Sequence, residues 1–146
     1  MPSLKLYDAA LDVRLRLIVE SYRRLTGKEL VPSVGAMWNA PFAIVAHGTE
    51  TDPVFFYGNE YALRCFEMDF DEFTCLPSRL SAEVVVQESR EKALRKVAEQ
   101  GYIDGYSGMR IAKSGRRFMI ADCTIWNLAD AAGVLQGQAA VFVISP

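Results

Sequence analysis

The sequence holds little histidine, little cysteine and little excess charge, and each shortage removes a class of function. There is one histidine, His47, and three cysteines, Cys65, Cys75 and Cys123, with no metal-ligand spacing between them. A metal site is therefore not expected. The cysteines read as reduced thiols, Cys65 in a helical pattern and Cys123 in a strand; only Cys75, in a loop-like stretch, has the setting of a redox residue. The net charge is −2, too acidic for a partner held by phosphate electrostatics, so no nucleic acid is expected. The longest apolar runs, such as Ala139 to Ile144, are far too short to span a bilayer, and Met1-Pro-Ser-Leu-Lys5 carries no apolar signal core. A cytoplasmic protein with no membrane contact is the expectation. Internal repeats and low-complexity segments are also missing, as are a carboxylate pair, a nucleophile–base signature and a phosphate loop. Catalytic residues are therefore not assigned, and the chain is read as a non-enzyme.

What is present is apolar and periodic. The chain has 146 residues, 51% of them hydrophobic, enough for one self-sufficient core. Leu11, Leu15, Ile18, Tyr22 and Leu25 recur at helical spacing, so Asp8 to Thr26 reads as an amphipathic helix, capped by Asp8 and ended by Gly27. Its stripe packs on its own domain or forms a dimer seam. Gly27 to Pro41 is a connector. Phe42–His47 and Val54–Tyr57 read as a hairpin, Tyr61–Phe66 and a segment ending at Phe73 as short helices, and Glu83 or Ser89 to Gln100 as a longer helix.

Three long strands follow, joined by tight turns at Lys113-Ser-Gly-Arg116 and Asp130-Ala-Ala-Gly133. The order predicts an α+β fold, one five-stranded antiparallel sheet with helices on one face and an N-terminal amphipathic helix. Residues 1–41 form the helix and connector, and 42–146 the main domain.

The residues also carry a family resemblance. Phe56-Tyr-Gly-Asn-Glu-Tyr-Ala-Leu-Arg-Cys-Phe66 resembles the strand-to-helix junction of PAS domains, and Lys113-Ser-Gly-Arg-Arg-Phe118 and Asp130-Ala-Ala-Gly133 resemble their hairpins. Ser21-Tyr-Arg-Arg-Leu-Thr-Gly27, Ala46-His-Gly-Thr-Glu50, Leu76-Pro-Ser-Arg-Leu80, Tyr106-Ser-Gly-Met-Arg-Ile111 and Trp126-Asn-Leu128 resemble the MEKHLA domain, a PAS-like family. The resemblance implies a sensory or ligand-binding module with a cradle between sheet and helices. No homeodomain or basic zipper accompanies it, so DNA binding is not carried over. The stretch Pro77–Leu80 has no cysteine where the light-sensing members of the fold carry one, and His47 is not on the long helix where haem-binding PAS domains hold theirs. The cofactor is unknown.

By likeness to PAS hairpins, Phe118, Ile120, Asp122, Thr124 and Trp126 face the cradle, with Tyr106, Gly108 and Arg110 beside them and Gln138, Ala140 and Phe142 on the last strand. Arg110 and Asp122 are then cross-strand neighbours, either a buried ion pair or a polar anchor for a small ligand. Gln138, Thr124 and Asn59 add hydrogen bonds, Asn59 doubling as a helix cap, and Tyr106, Trp126 and Phe142 supply flat walls. The partners expected are a small molecule, a second copy of the chain through the N-terminal helix and sheet, and an unidentified signalling partner. The alternative is a homodimerising interaction module whose cradle is filled by its own side chains.

Overall fold

The computed structural model describes residues 9–82 and 84–144. Helix α1 runs Ala9–Thr26 and stops where Gly27, at φ +74°, returns its N–H to the Arg23 carbonyl at 2.9 Å. The expected cap Asp8 and the residue Glu83 lie outside the described residues. The connector contains a single 3₁₀ turn at Val34–Met37. Strands β1 (Ala43–His47) and β2 (Phe55–Gly58) form the first hairpin. Helices α2 (Glu60–Phe66), α3 (Phe70–Phe73) and α4 (Val84–Gln100) follow. The last third is a meander of β3 (Tyr102–Ile111), β4 (Arg117–Ala129) and β5 (Leu135–Ile144).

The five strands form one antiparallel sheet in the order β2-β1-β5-β4-β3. The chain ends of the sheet meet in the middle, where β5 pairs with β1. Helices α2, α3 and α4 cover the inner face. The outer face is covered by α1, whose apolar stripe is spent on the protein's own sheet. Ile18 is fully buried there, Trp126 packs edge-on against Tyr22 at 4.9 Å, and the Trp126 indole N–H donates to the Ile18 carbonyl at 3.3 Å. The Arg24 guanidinium closes the same contact by donating to the Ala129 carbonyl at 3.0 Å. Two covered faces explain why β4 carries apolar residues on both sides.

The turns are chemically specified. Asp130 accepts from the N–H groups of Ala132 and Val134, both at 2.9 Å, and from the Gln136 amide at 3.0 Å, which pulls its carboxyl below the usual range. Asp69 and Glu72 form a reciprocal capping box on α3.

Candidate functional site

The inner face of the sheet and the helices enclose a cavity, and the strands decide which side chains reach it. On β3, Tyr106, Gly108 and Arg110 share the inner face; Arg110 pairs with Phe118, Gly108 with Ile120 and Tyr106 with Cys123. On β5, Gln138, Ala140 and Phe142 point the same way, opposite β4 and β1.

β4 departs from simple alternation. Ala121 pairs with Val143 and Thr124 with Val141, so Asp122 and Cys123 together oppose Phe142 alone. This bulge puts Asp122 at φ +50°. Phe118 and Ile120 face inward before it, Cys123, Ile125 and Asn127 after it. The expected inward set is therefore corrected beyond Ile120. Asp122 is exposed, and it is not a cross-strand neighbour of Arg110. Thr124 and Trp126 lie on the outer face, Trp126 beneath α1. An extra residue reverses which side of the sheet each following side chain occupies.

Asn59 is also moved out of the cradle. Its Oδ1 accepts from Ala62 N at 3.1 Å and Ile44 N at 3.0 Å, and its Nδ2 donates to the Met37 and Phe42 carbonyls at 2.9 and 2.8 Å. A buried amide with two acceptor and two donor bonds has nothing left for a ligand. It ties α2, β1 and the connector together.

Arg110 is the charged group of the cavity. It is 6% exposed, and its Nη1 donates to the Met109 carbonyl at 2.8 Å. Its guanidinium lies 5.7 Å from the Tyr106 ring centroid. No ion pair among the described residues includes it. Around it the walls are apolar: Phe66, Leu94, Ile120, Ile125 and Phe142, with the Cys123 thiol. Burial pushes that thiol up to about 12, with the Arg110 charge pulling the other way, so it is a neutral, inert wall at physiological pH. Cys65 is likewise pushed up to about 11 by burial, and Cys75 is the exposed thiol.

Gln138 and His47 form the polar rim. Gln138 donates to Asn127 Oδ1 at 3.0 Å, and Asn127 donates to the Val97 carbonyl of α4 at 3.1 Å, a chain of amides from the cavity to the last turns of the long helix. His47 Nδ1 lies 2.9 Å from the Gly48 carbonyl at the end of β1. Ile125 and Cys123 were not picked out as cradle residues, because the bulge that turns them inward carries no sequence signature. Among the described residues no cluster of three His, Cys, Asp or Glu side chains can hold a metal ion.

The comparisons with known proteins bear on this geometry. The MEKHLA domain family matches residues 13–144, from α1 to the end of β5. The chain belongs to the MEKHLA family. No curated protein matches this MEKHLA chain. Among solved structures, a PAS domain from Colwellia psychrerythraea is similar with TM-score 0.67 and 13% identity, covering 76% of this chain and 92% of that one. A light-oxygen-voltage domain studied with a flavin analogue gives TM-score 0.65 and 18% identity over 77% of this chain and 84% of that one. The light-state dimer of the fungal blue-light photoreceptor Vivid gives TM-score 0.64 and 18% identity over 90% and 93%. The MEKHLA chain thus has the PAS/LOV fold.

A flavin does not fit this MEKHLA cradle. The free space among Arg110, Cys123, Ile125 and Phe142 is ≈ 50 Å³. Pockets for drug-sized molecules run roughly 300–1,000 Å³. Aromatic packing takes the rest: Phe66 sits edge-on to Phe118 at 5.1 Å, and Phe55 stacks on Phe73 at 4.2 Å.

Proposed function

We propose that this MEKHLA chain is a non-enzymatic sensory module that binds a small molecule in the cavity around Arg110. The observation that carries the reading is a guanidinium 6% exposed and without an acidic partner among the described residues, turned into a space that side chains do not completely fill. A residue built only to fill a core would be apolar. Phe142 supplies a flat wall and Gln138 a polar rim, while Tyr106, expected as a second wall, stands beside the Arg110 guanidinium and is not part of the cavity lining. Asp122, Thr124, Trp126 and Asn59 take no part in binding.

The output follows from the covering of the sheet. β4 and β5 hold the ligand on one face and α1 on the other, so a shift of these strands on binding biases how α1 packs. That helix, and the apolar strip of Met119 and Val143 left open beside it on the outer face, would meet a second copy of the chain or a signalling partner. The same strip supports a second reading, an interaction module that dimerises through its sheet and uses no ligand.

Native mass spectrometry of freshly purified protein, with an absorption spectrum of the same sample, separates the two readings. A retained small molecule supports the sensor. A ligand-free dimer with a bare protein spectrum supports the interaction module.

A further inference from the structure

We infer that the cavity takes a short-chain monocarboxylate, with Arg110 as its counter-ion; this rests on the sensor reading and names its ligand class. Three observations converge. The first is charge. A guanidinium is always protonated and has five N–H donors in a planar fork. The hydrogen bond of Arg110 to the Met109 carbonyl uses Nη1 alone. A buried cation without a compensating anion is costly, and the fork matches the two oxygens of a carboxylate. A single cation also selects a monoanion over a dianion.

The second is shape. Gly108 lies between Tyr106 and Arg110 on the inner face of β3. A Cβ placed there would lie 2.8 Å from the Tyr106 hydroxyl and 3.2 Å from Arg110 Nη1. The bare glycine lets the Tyr106 hydroxyl and Arg110 Nη1 both pack over it, which fixes the guanidinium where it lines the cavity.

The third is size and polarity. A space of ≈ 50 Å³, at roughly 10–15 Å³ of such volume per water-sized group, holds about three to five non-hydrogen atoms. Ile120, Ile125 and Phe142 suit a short alkyl tail, and the polar groups of the lining, Gln138, His47 and Ser81, add no fixed second cation for the further charge of a sulfate or phosphate. A carboxylate with one or two further carbons satisfies both ends.

The test uses the full chain with labelled isoleucine methyl groups, titrated by NMR with sodium propionate, with propionamide, and with sodium sulfate at matched ionic strength. Ile120 and Ile125 line the cavity, whereas Ile18 under α1 and Ile111 on the outer face serve as internal controls. The expected result is saturable movement of the Ile120 and Ile125 resonances by propionate, at least tenfold weaker binding of propionamide, and no saturable effect of sulfate. Arg110→Gln abolishes the preference for the acid over the amide. Gly108→Ala keeps the charge, displaces the Tyr106 hydroxyl and Arg110 Nη1 that pack over the glycine, and weakens propionate tenfold or more; it stands in should Arg110→Gln not fold. Equal binding of acid and amide, or an unchanged preference in Arg110→Gln, overturns the inference. A neutral molecule retained by the purified protein overturns it while leaving the sensor reading intact. Resonances that move with no probe, in a protein that also purifies without any ligand, overturn both.

Discussion

Trp126 is the contact that joins α1 to the sheet, and its truncation has a calculable cost. The side chain is 0% exposed, sits edge-on to Tyr22 and bonds the Ile18 carbonyl. Replacing a fully buried Trp by Ala costs about 3–5 kcal/mol. The ring pair and the indole hydrogen bond each account for roughly 1 kcal/mol of that loss. Domains of this size are stable by about 5–15 kcal/mol, so Trp126→Ala removes about a fifth of the total or more. Trp126→Phe keeps most of the volume, loses the N–H, and should cost about 1–2 kcal/mol. Urea unfolding followed by far-ultraviolet circular dichroism measures both; fluorescence would mix in the second tryptophan, Trp38. Hydrogen exchange then asks where the loss falls. Amides of α1 should lose protection in Trp126→Phe while those of β1 and β5 keep theirs. A cost below about 0.5 kcal/mol with α1 protection unchanged would refute the assignment of Trp126 as the anchor.

Three further outcomes follow from single residues. Asn59→Ala leaves the Ile44 N–H and the Met37 and Phe42 carbonyls without their buried partner, so it should cost about 3 kcal/mol or more in urea unfolding, well above an ordinary cap. Asp122→Gly relieves the positive φ at the bulge and should be neutral or stabilising by several tenths of a kcal/mol, whereas Asp122→Ala costs about 1 kcal/mol; a loss of 3 kcal/mol in the alanine variant would place the carboxylate inside after all. At pH 8 a thiol reagent should label Cys75 alone in the native protein and all three cysteines after unfolding. The thiols of Cys65 and Cys123 are raised to about 11 and about 12, so the native state holds their protons. Their contribution is complete below the ordinary thiol value of about 8.5 and is lost as pH climbs from there toward those values.

Much of the sheet was legible because its turns are. The glycine turn at Ser114-Gly115 and the aspartate turn at Asp130 pin the strand ends, and from them the inner set of Tyr106, Gly108, Arg110, Gln138, Ala140 and Phe142 follows by alternation. The bulge at Asp122 was not legible. An aspartate in an apolar strand has no local sign of a left-handed backbone, and with both faces of β4 covered the hydrophobic pattern reads equally well in either phase. One inserted residue carried Thr124 and Trp126 to the outer face. Asn59 was legible as a cap, since Asn before a helical run caps helices, but its bonds to Met37 and Phe42 depend on a connector of prolines and glycines that has no periodicity. The volume of the cavity is a product of how Phe66, Phe118 and Phe142 settle, and no spacing encodes it.

The central claim is that Arg110 is held for a ligand and not for the fold. The most direct test is the unfolding free energy of Arg110→Met against the unsubstituted protein, both dialysed free of small molecules. Methionine follows the same stem and removes a buried charge that has no acidic partner among the described residues. The account predicts equal or higher stability for Arg110→Met, by up to about 1–2 kcal/mol. A loss of about 3 kcal/mol or more would show that the guanidinium holds the structure together, and would contradict it.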